Sequence, residues 1–423
     1  MRVLVIGSGA REHAICWALA RDLGPRHVCC APGNAGIARA VECLPVDAGD
    51  PCAVEALIRR ESIDFTVIGP ELPLTKGLVN HLASASRPVC GPTREAAELE
   101  SSKAFAKALM ARHGIPTARH ETHDSADSAL AAVRGGTFGF PVVLKADGLA
   151  AGKGVIIAET GAEAEAAIRD MMVGRRFGDA GARVVIEEFM RGREASFFVL
   201  TDGERARVLP SAEDHKRAFD GDLGPNTGGM GAFSPSPLVD SRMSGRVLDE
   251  IVFPTLRAMA REGRPYRGFL YCGLMITDRG PRVVEFNVRM GDPETQVVLP
   301  AIDEPLLPHL QAASRGELES GMFRTRSRRY VGVVLASGGY PEAFENGKAI
   351  AGLDEAAAQP GVLVFHAGTA ERDGHLVTAG GRVLTVVADG DGFADARDRA
   401  YAAAARISFE GMFYRRDIGV RAM

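Results

Sequence analysis

A chain of 423 residues, 46% of them hydrophobic, carries enough apolar side chains for about three domains with cores of their own. Its formal net charge of -4 supplies no broad basic field, which argues against nucleic acid or an anionic membrane surface as a partner, and no apolar run reaches spanning length. The start lacks the pattern of a signal peptide, and seven cysteines without a CxxC pair read as reduced thiols, so a cytoplasmic location is expected.

The first β-type run, residues 3–6, feeds into Gly7-Ser8-Gly9 and a helix. A dinucleotide fingerprint would place a third glycine where Glu12 stands, and an acid at the end of the next run, where Pro32-Gly33-Asn34 stands instead. An oxidoreductase reading therefore rests on the opening loop alone. A plain strand-to-helix turn is one alternative; a site for a phosphate-sized anion at the helix start is the other. Further runs at 65–68, before Gly69-Pro70-Glu71, and at 88–90 predict a doubly wound parallel sheet over residues 1–102. The strand ends carrying Gly7 and Gly9, Asn34, and Glu71 then border one crevice.

Ser101-Ser102-Lys103 caps a helix expected to run to about residue 113. A smaller α/β stretch, about 122–190, has strands at 142–146, 155–158 and 184–188, and further β-type runs follow at 195–200, 273–277 and 282–286. After a charged linker at 324–329 comes an α+β stretch with runs at 330–336, 363–367 and 383–388 and an Ala-rich helix near 393–407. The expected domains are 1–102, 103–328 and 329–423, an α/β and α+β multidomain chain.

Lysine is scarce, with seven among 50 basic residues, and five of the seven fall in or beside the stretches with chemistry: Lys103, Lys107, Lys145, Lys153 and Lys216. A compact ammonium facing a phosphate oxygen is not readily exchanged for a guanidinium. "PVVLKADGLAAGKGVII" sets Lys145, Gly148, Gly152, Lys153 and Gly154 in a strand-loop-strand, which is not a Walker loop because no helix follows. Such a flap can fold over a triphosphate, its bare N–H groups meeting phosphate oxygens; a surface hairpin is the bland alternative. "VVIEEFMRGRE" offers Glu187, Glu188 and Glu194 to a nucleoside and the backbone around Phe189 to a base edge, although alone it also reads as a solvated acidic turn. In "RVVEFNVRMGDPETQ", Glu285 and Asn287 alternate onto one strand face, a hard oxygen pair suited to Mg²⁺ or Mn²⁺, with Arg289 next on that face. The loop-like segment 211–235, with Asp214 and Lys216 at its start and Gly228, Gly229 and Gly231 near its end, reads as binding a small polar substrate.

The flap, the EEF strand end and the E-x-N-x-R strand together look like the ATP-grasp fold. "GPELPL", "DHKR", "GPNTGGMGAFSP", "EFNVRMGDPETQ" and the terminal "YRRDIG" extend the likeness over the whole chain, which resembles the glycinamide ribonucleotide synthetase family of purine biosynthesis. The resemblance implies a central ATP-grasp region with a mobile lid at about 122–190, and a monomer using ATP, a divalent cation, glycine and phosphoribosylamine. It implies that glycine is activated as glycyl phosphate and then captured by the amine, chemistry that needs positioning and charge neutralisation more than a protein nucleophile. By the same resemblance Lys103 and Lys145 meet ATP phosphates, Glu187, Glu188 and Glu194 the nucleoside, Glu285 and Asn287 the metal, and Arg289 the acyl phosphate. Asp214, Lys216 and the loop with Gly228, Gly229 and Gly231 fall near glycine or the amine; Gly7, Gly9, Glu12, Asn34 and Glu71 go to phosphoribosylamine. Arg289, Lys145 and Asp214 are the expected catalytic set. Two departures stand out: Glu213 replaces an expected amide, and the strand at Gly273-Leu274-Met275 lacks a metal-binding acid, for which Asp292 and Glu294 are alternative substitutes. A different ATP-grasp ligase or a carboxylase is distinguished by which acid triggers ADP release.

Overall fold

The computed structural model describes residues 1–149 and 154–423. Its N-terminal sheet has five parallel strands in the order Glu42–Cys43, Val28–Pro32, Val3–Gly7, Phe65–Ile68, Val89–Cys90. The strand order reverses across Val3–Gly7, so the carboxyl end of that strand opens at a topological switch point, where such sheets take ligands. Four of these strands match the β-type runs of the sequence; Glu42–Cys43, two residues long, carries no periodic signal.

Helix Lys103–His113 begins at Ser102, whose Oγ accepts from Phe105 N (3.0 Å), and ends at Gly114 with φ 67°, a left-handed stop that a side chain would strain. The chain then enters a four-stranded antiparallel sheet in the order His120–His123, Val184–Glu188, Val142–Ala146, Val155–Ala158. Helices Ala126–Arg134 and Gly161–Ile168 cover it, and Leu130, Val133, Leu144, Ile168 and Ile186 give this unit an apolar core of its own. A second sheet runs Gly280–Asn287, Gly268–Thr277, Arg193–Thr201, Ala206–Val208, Gly321–Met322 and is antiparallel except at its last pairing. Period-two alternation ties it to the N-terminal sheet: Leu4 and Ile6 share a core with Phe197 and Val199, while Val3 and Val5 share another with Phe198 and Leu200.

The C-terminal sheet, antiparallel throughout, runs Glu213–Asp214, Gly231–Ser234, Arg329–Ala336, Arg382–Gly390, Val362–His366. Two of its strands precede residue 329, so ladder hydrogen bonds cross the boundary read from the sequence. They come from segment 211–235, read as a loop; it also contains the hairpin Arg217–Phe219 with Leu223–Asn226. These strands are two to four residues long and rich in Gly and polar residues, and their pairing is dictated by the partner strand, not by local alternation. Among the described residues, no helix is long and apolar enough to cross a membrane.

Candidate active site

Strand Val142–Ala146 carries Lys145, with its Nζ 2.9 Å from Glu187 Oε1 and donating to Val284 O (3.0 Å). Glu187 Oε2 lies 2.8 Å from Lys107 Nζ, which also donates to Thr117 Oγ1 (2.7 Å). All three side chains are buried. Burial opposes ionisation of Glu187, but Lys145 and Lys107 outweigh it and hold the carboxyl below its usual range. Burial lowers Lys107 to about 8 despite Glu187 beside it. The Glu187 carboxylate, expected at the nucleoside, is thus engaged in holding two ammonium groups. Lys107 received no role from the sequence, yet it stands one helical turn after Lys103 on the same face, and that i, i+4 pair in a lysine-poor chain was the available signal.

Lys103 Nζ donates to Gly148 O (2.8 Å), and burial lowers its pKa. Asp147 braces the flap base, accepting from Ala104 N (3.1 Å) and Ser102 Oγ (3.3 Å). Gly154 O accepts from Ala146 N (2.8 Å), closing the flap's base; Gly152 and Lys153 lie outside the described residues. At the strand end, Glu188 accepts from Arg119 N (3.0 Å) and Nε (2.7 Å), Phe189 is 36% exposed, and Glu194 pairs with Lys216 Nζ (2.6 Å).

Glu285 and Asn287 share one face of strand Gly280–Asn287, as their spacing requires. Burial would raise the Glu285 carboxyl, but Lys216, Lys145, Lys103 and Arg289 hold it below its usual range, an ionised oxygen ligand beside an amide oxygen. Among the described residues, no group of three or more His, Cys, Asp or Glu is arranged to hold a metal ion. A carboxylate plus an amide fits a hard cation that takes its remaining ligands from phosphates and water. Close by, Asp214 is pushed up to about 7 by burial, with Lys216 opposing and Glu294, Glu194 and Glu285 adding to the rise. Lys216, facing Glu194, Asp214 and Glu285, is raised well above its ordinary value although burial works the other way. Glu294 accepts from Tyr271 OH (2.9 Å) and Ser196 Oγ (3.1 Å) in this same neighbourhood.

The N-terminal crevice is more committed internally than its glycines suggested. Gly9 N donates to Glu12 Oε2 (2.6 Å), so this helix-start amide already has a carboxylate, and Arg11 Nε donates to Glu12 Oε1 (2.6 Å). A Cβ at Gly7, where φ is 131°, would run into the Glu12 side chain. Asn34 is used at both ends: Nδ2 donates to Ser8 O and His366 O (each 2.8 Å), and Oδ1 accepts from Gly36 N and Ile37 N (each 2.9 Å). Glu71 Oε2 accepts from Arg289 Nε (3.2 Å) and lies 4.0 Å from Arg11 Nη2. Burial would raise Glu71, but Arg289 and Arg11 hold it at about 2.

Arg382, from the C-terminal sheet, was not foreseen. It donates from Nη1 to Gly228 O (2.5 Å) and Asp292 O (2.8 Å), and from Nη2 to Asp292 Oδ2 (2.9 Å). A Cβ built on Gly9 would lie 3.8 Å from Asp292 Oδ2, and one on Gly229, φ 110°, would strike Pro293. The opening loop, the glycine loop and the E-x-N-x-R strand therefore converge around Asp292, while Gly231 stands farther back against strand Arg329–Ala336, paired with Val333.

The N, ATP-grasp and C domain models of phosphoribosylglycinamide synthetase match residues 1–100, 101–295 and 330–421. The chain belongs to the phosphoribosylglycinamide synthetase family. The phosphoribosylamine–glycine ligase of Pseudomonas aeruginosa is 50% identical over 426 residues, covering all of this chain and 98% of the relative. That of Vibrio parahaemolyticus is 49% identical, covering all of this chain and 99% of the relative. The crystal structure of the Thermotoga maritima enzyme superposes with a TM-score of 0.86 at 38% identity, over 99% of this chain and 100% of that one. The biotin carboxylase of Campylobacter jejuni shares the fold at 15% identity, TM-score 0.74, over 97% of this chain and 92% of its own.

Two family motifs have structural explanations here. Glu213, on the strand face opposite Asp214, accepts from Ser236 Oγ (2.7 Å) and Arg193 Nη2 (3.1 Å), so the carboxylate that stands where an amide was expected finds its partners within the protein. Arg415 of YRRDIG is 1% exposed and donates to Asp417 Oδ1 (2.7 Å), Asp222 Oδ1 (3.0 Å) and Arg217 O (3.0 Å), fastening the hairpin after Lys216 to the C-terminal stretch.

Proposed function

We propose that this ATP-dependent ligase of phosphoribosylamine and glycine works through glycyl phosphate, assembled beside Glu285. The observation that carries the reading is that Lys103, Lys145, Lys216 and Arg289, cations of separate elements each bonded elsewhere, all lie near enough to one strand carboxylate to favour its ionised form. A triphosphate brings several negative charges, and in-line phosphoryl transfer asks the protein chiefly to neutralise and orient them. Lys103 and Lys145 do this from the flap side. Glu285 and Asn287 would hold a divalent cation, Mg²⁺ or Mn²⁺, which when bound neutralises phosphate charge. Glu188, Glu194 and the backbone at Phe189 border the nucleoside.

Asp214 and Lys216 receive glycine, the carboxylate of one matching its ammonium and the ammonium of the other its carboxylate. Glycine's carboxylate oxygen attacks the γ-phosphorus and ADP leaves. Arg289 then faces the acyl phosphate, and the amine of phosphoribosylamine, entering past Gly9, Glu71 and the Gly228–Gly229 loop, adds to the acyl carbon and releases phosphate. A closed flap over Lys145 keeps water from the acyl phosphate. The test is an omission series: ADP release should require ATP, divalent cation, glycine and phosphoribosylamine together, with phosphate as co-product. Formation of AMP and pyrophosphate would refute the reading.

A further inference from the structure

Arg289 is held by more than its position on the strand. A guanidinium has five N–H groups. Three are used within the protein: Nε to Glu71 Oε2 (3.2 Å), Nη2 to Glu100 Oε1 (2.6 Å) and Nη1 to Met290 O (3.3 Å). One N–H on each Nη remains. Glu100, 9% exposed on the last turn of helix Arg94–Ser101, also accepts from Val288 N (2.7 Å) through its second oxygen. It therefore grips the main chain just before Arg289 and the guanidinium tip at once, fixing both ends of a side chain that otherwise has four rotatable bonds.

The contacts continue as a line of alternating charge. Arg289 meets Glu71, Glu71 faces Arg11, Arg11 donates to Glu12, and Glu12 accepts from Gly9 N at the opening loop. Burying charged groups such as Arg11, Glu12 and Glu100 is costly, and a well-packed apolar pair would serve stability as well or better. What the carboxylates provide that an apolar pair would not is a defined orientation of the guanidinium. Burial raises the Glu100 carboxyl while Arg289 opposes that rise.

We infer that Glu100 is a positioning residue for phosphoryl transfer: by holding Val288 N and Arg289 Nη2 together it presents the two uncommitted N–H groups of Arg289 to the transferred phosphoryl group. This rests on the reading above in which Arg289 faces the acyl phosphate. Glu100→Gln keeps the shape but leaves one acceptor oxygen for two donors, so either Val288 N–H or the guanidinium loses its partner. Its kcat should fall on the order of 10- to 100-fold, less than the 10²–10³ expected for losing a transition-state donor outright, with KM for ATP within about twofold of wild type.

The decisive measurement is a double-mutant cycle in kcat with Arg289→Lys, with thermal unfolding of each protein alongside. If Glu100 acts through Arg289, adding Glu100→Gln to Arg289→Lys changes kcat by less than about threefold. A multiplicative loss in the double variant overturns the inference, as does wild-type kcat in Glu100→Gln. Should Glu100→Gln fail to fold, Glu100→Asp, which keeps the charge but cannot span both donors, takes its place in the cycle with the same two criteria. A failure of the glycyl phosphate reading is seen separately, in wild-type turnover whose released phosphate carries no oxygen from glycine.

Discussion

Glu187→Gln exposes the electrostatic logic beneath the flap. The carboxylate faces Lys107 Nζ at 2.8 Å and Lys145 Nζ at 2.9 Å, and none of the three has appreciable access to water. Breaking a buried ion pair by removing one partner costs roughly 3–5 kcal/mol. Here the variant has a partial escape. Burial lowers Lys107 to about 8, so giving up its proton near pH 7 costs on the order of 1 kcal/mol. That figure caps the Lys107 share of the loss, and the rest belongs to Lys145. The cap also sets a pH dependence. Without Glu187 the pKa of Lys107 falls further, so between the two values the wild-type native state binds more protons than the variant, and its advantage shrinks as pH rises. We expect strand Val184–Glu188 of Glu187→Gln to open more easily by roughly 3–5 kcal/mol at pH 7, and by on the order of 1 kcal/mol less at pH 9. Hydrogen exchange of wild type and variant compared at each pH measures both, because intrinsic exchange rates cancel. A difference below about 1 kcal/mol, or one independent of pH, would mean that Glu187 does not hold both ammonium groups.

Glu285→Gln keeps the side-chain shape but removes the ionised ligand, so kcat at saturating Mg²⁺ should drop on the order of 10²-fold with thermal unfolding little changed; steady-state kinetics with calorimetry checks this. Burial pushes Asp214 up to about 7, so with its ionised form holding glycine's ammonium, KM for glycine falls as pH rises from about 6 to about 8. Asp214→Asn should abolish that slope, and an unchanged slope would remove Asp214 from the glycine site. Gly9→Val places a Cβ 2.9 Å from Glu12 Oε2, near Asp292, and should raise KM for phosphoribosylamine while sparing that for ATP; separate substrate titrations decide. Arg382→Met frees Gly228 O and Asp292 together and should raise KM for glycine or phosphoribosylamine several-fold, whereas a loss confined to ATP would place the clamp elsewhere.

The elements most legible in the sequence were those whose signal is local. Strands Val142–Ala146, Val155–Ala158 and Val184–Glu188 have the bounds their apolar runs suggested, and Ser102 caps the helix its hydroxyl implied. The same-face placement of Glu285 and Asn287 follows from strand periodicity alone. What could not be read locally depended on distant partners. Segment 211–235 looked like a loop because its strands are two to four residues long, its join to the C-terminal sheet comes from strand Arg329–Ala336 and its fastening from Arg415. Glu187 looked free because its two lysines lie 80 and 42 residues away in the sequence. Glu12 and Asn34 looked available for substrate because their partners, Gly9 N, Arg11, Ser8 O and His366 O, satisfy them only once the crevice has formed. Arg382 and Glu100 belong to no recognisable motif, and their importance exists only in three dimensions.

Activation of glycine by phosphoryl transfer to its carboxylate leaves its trace in where the carboxylate oxygens go. Glycine labelled with ¹⁸O in its carboxylate is turned over with ATP, Mg²⁺ and phosphoribosylamine, and the released phosphate is analysed by mass spectrometry. Each turnover should deliver one glycine carboxylate oxygen into inorganic phosphate, because the bridging oxygen of the acyl phosphate leaves with phosphorus. Phosphate free of label would contradict that activation.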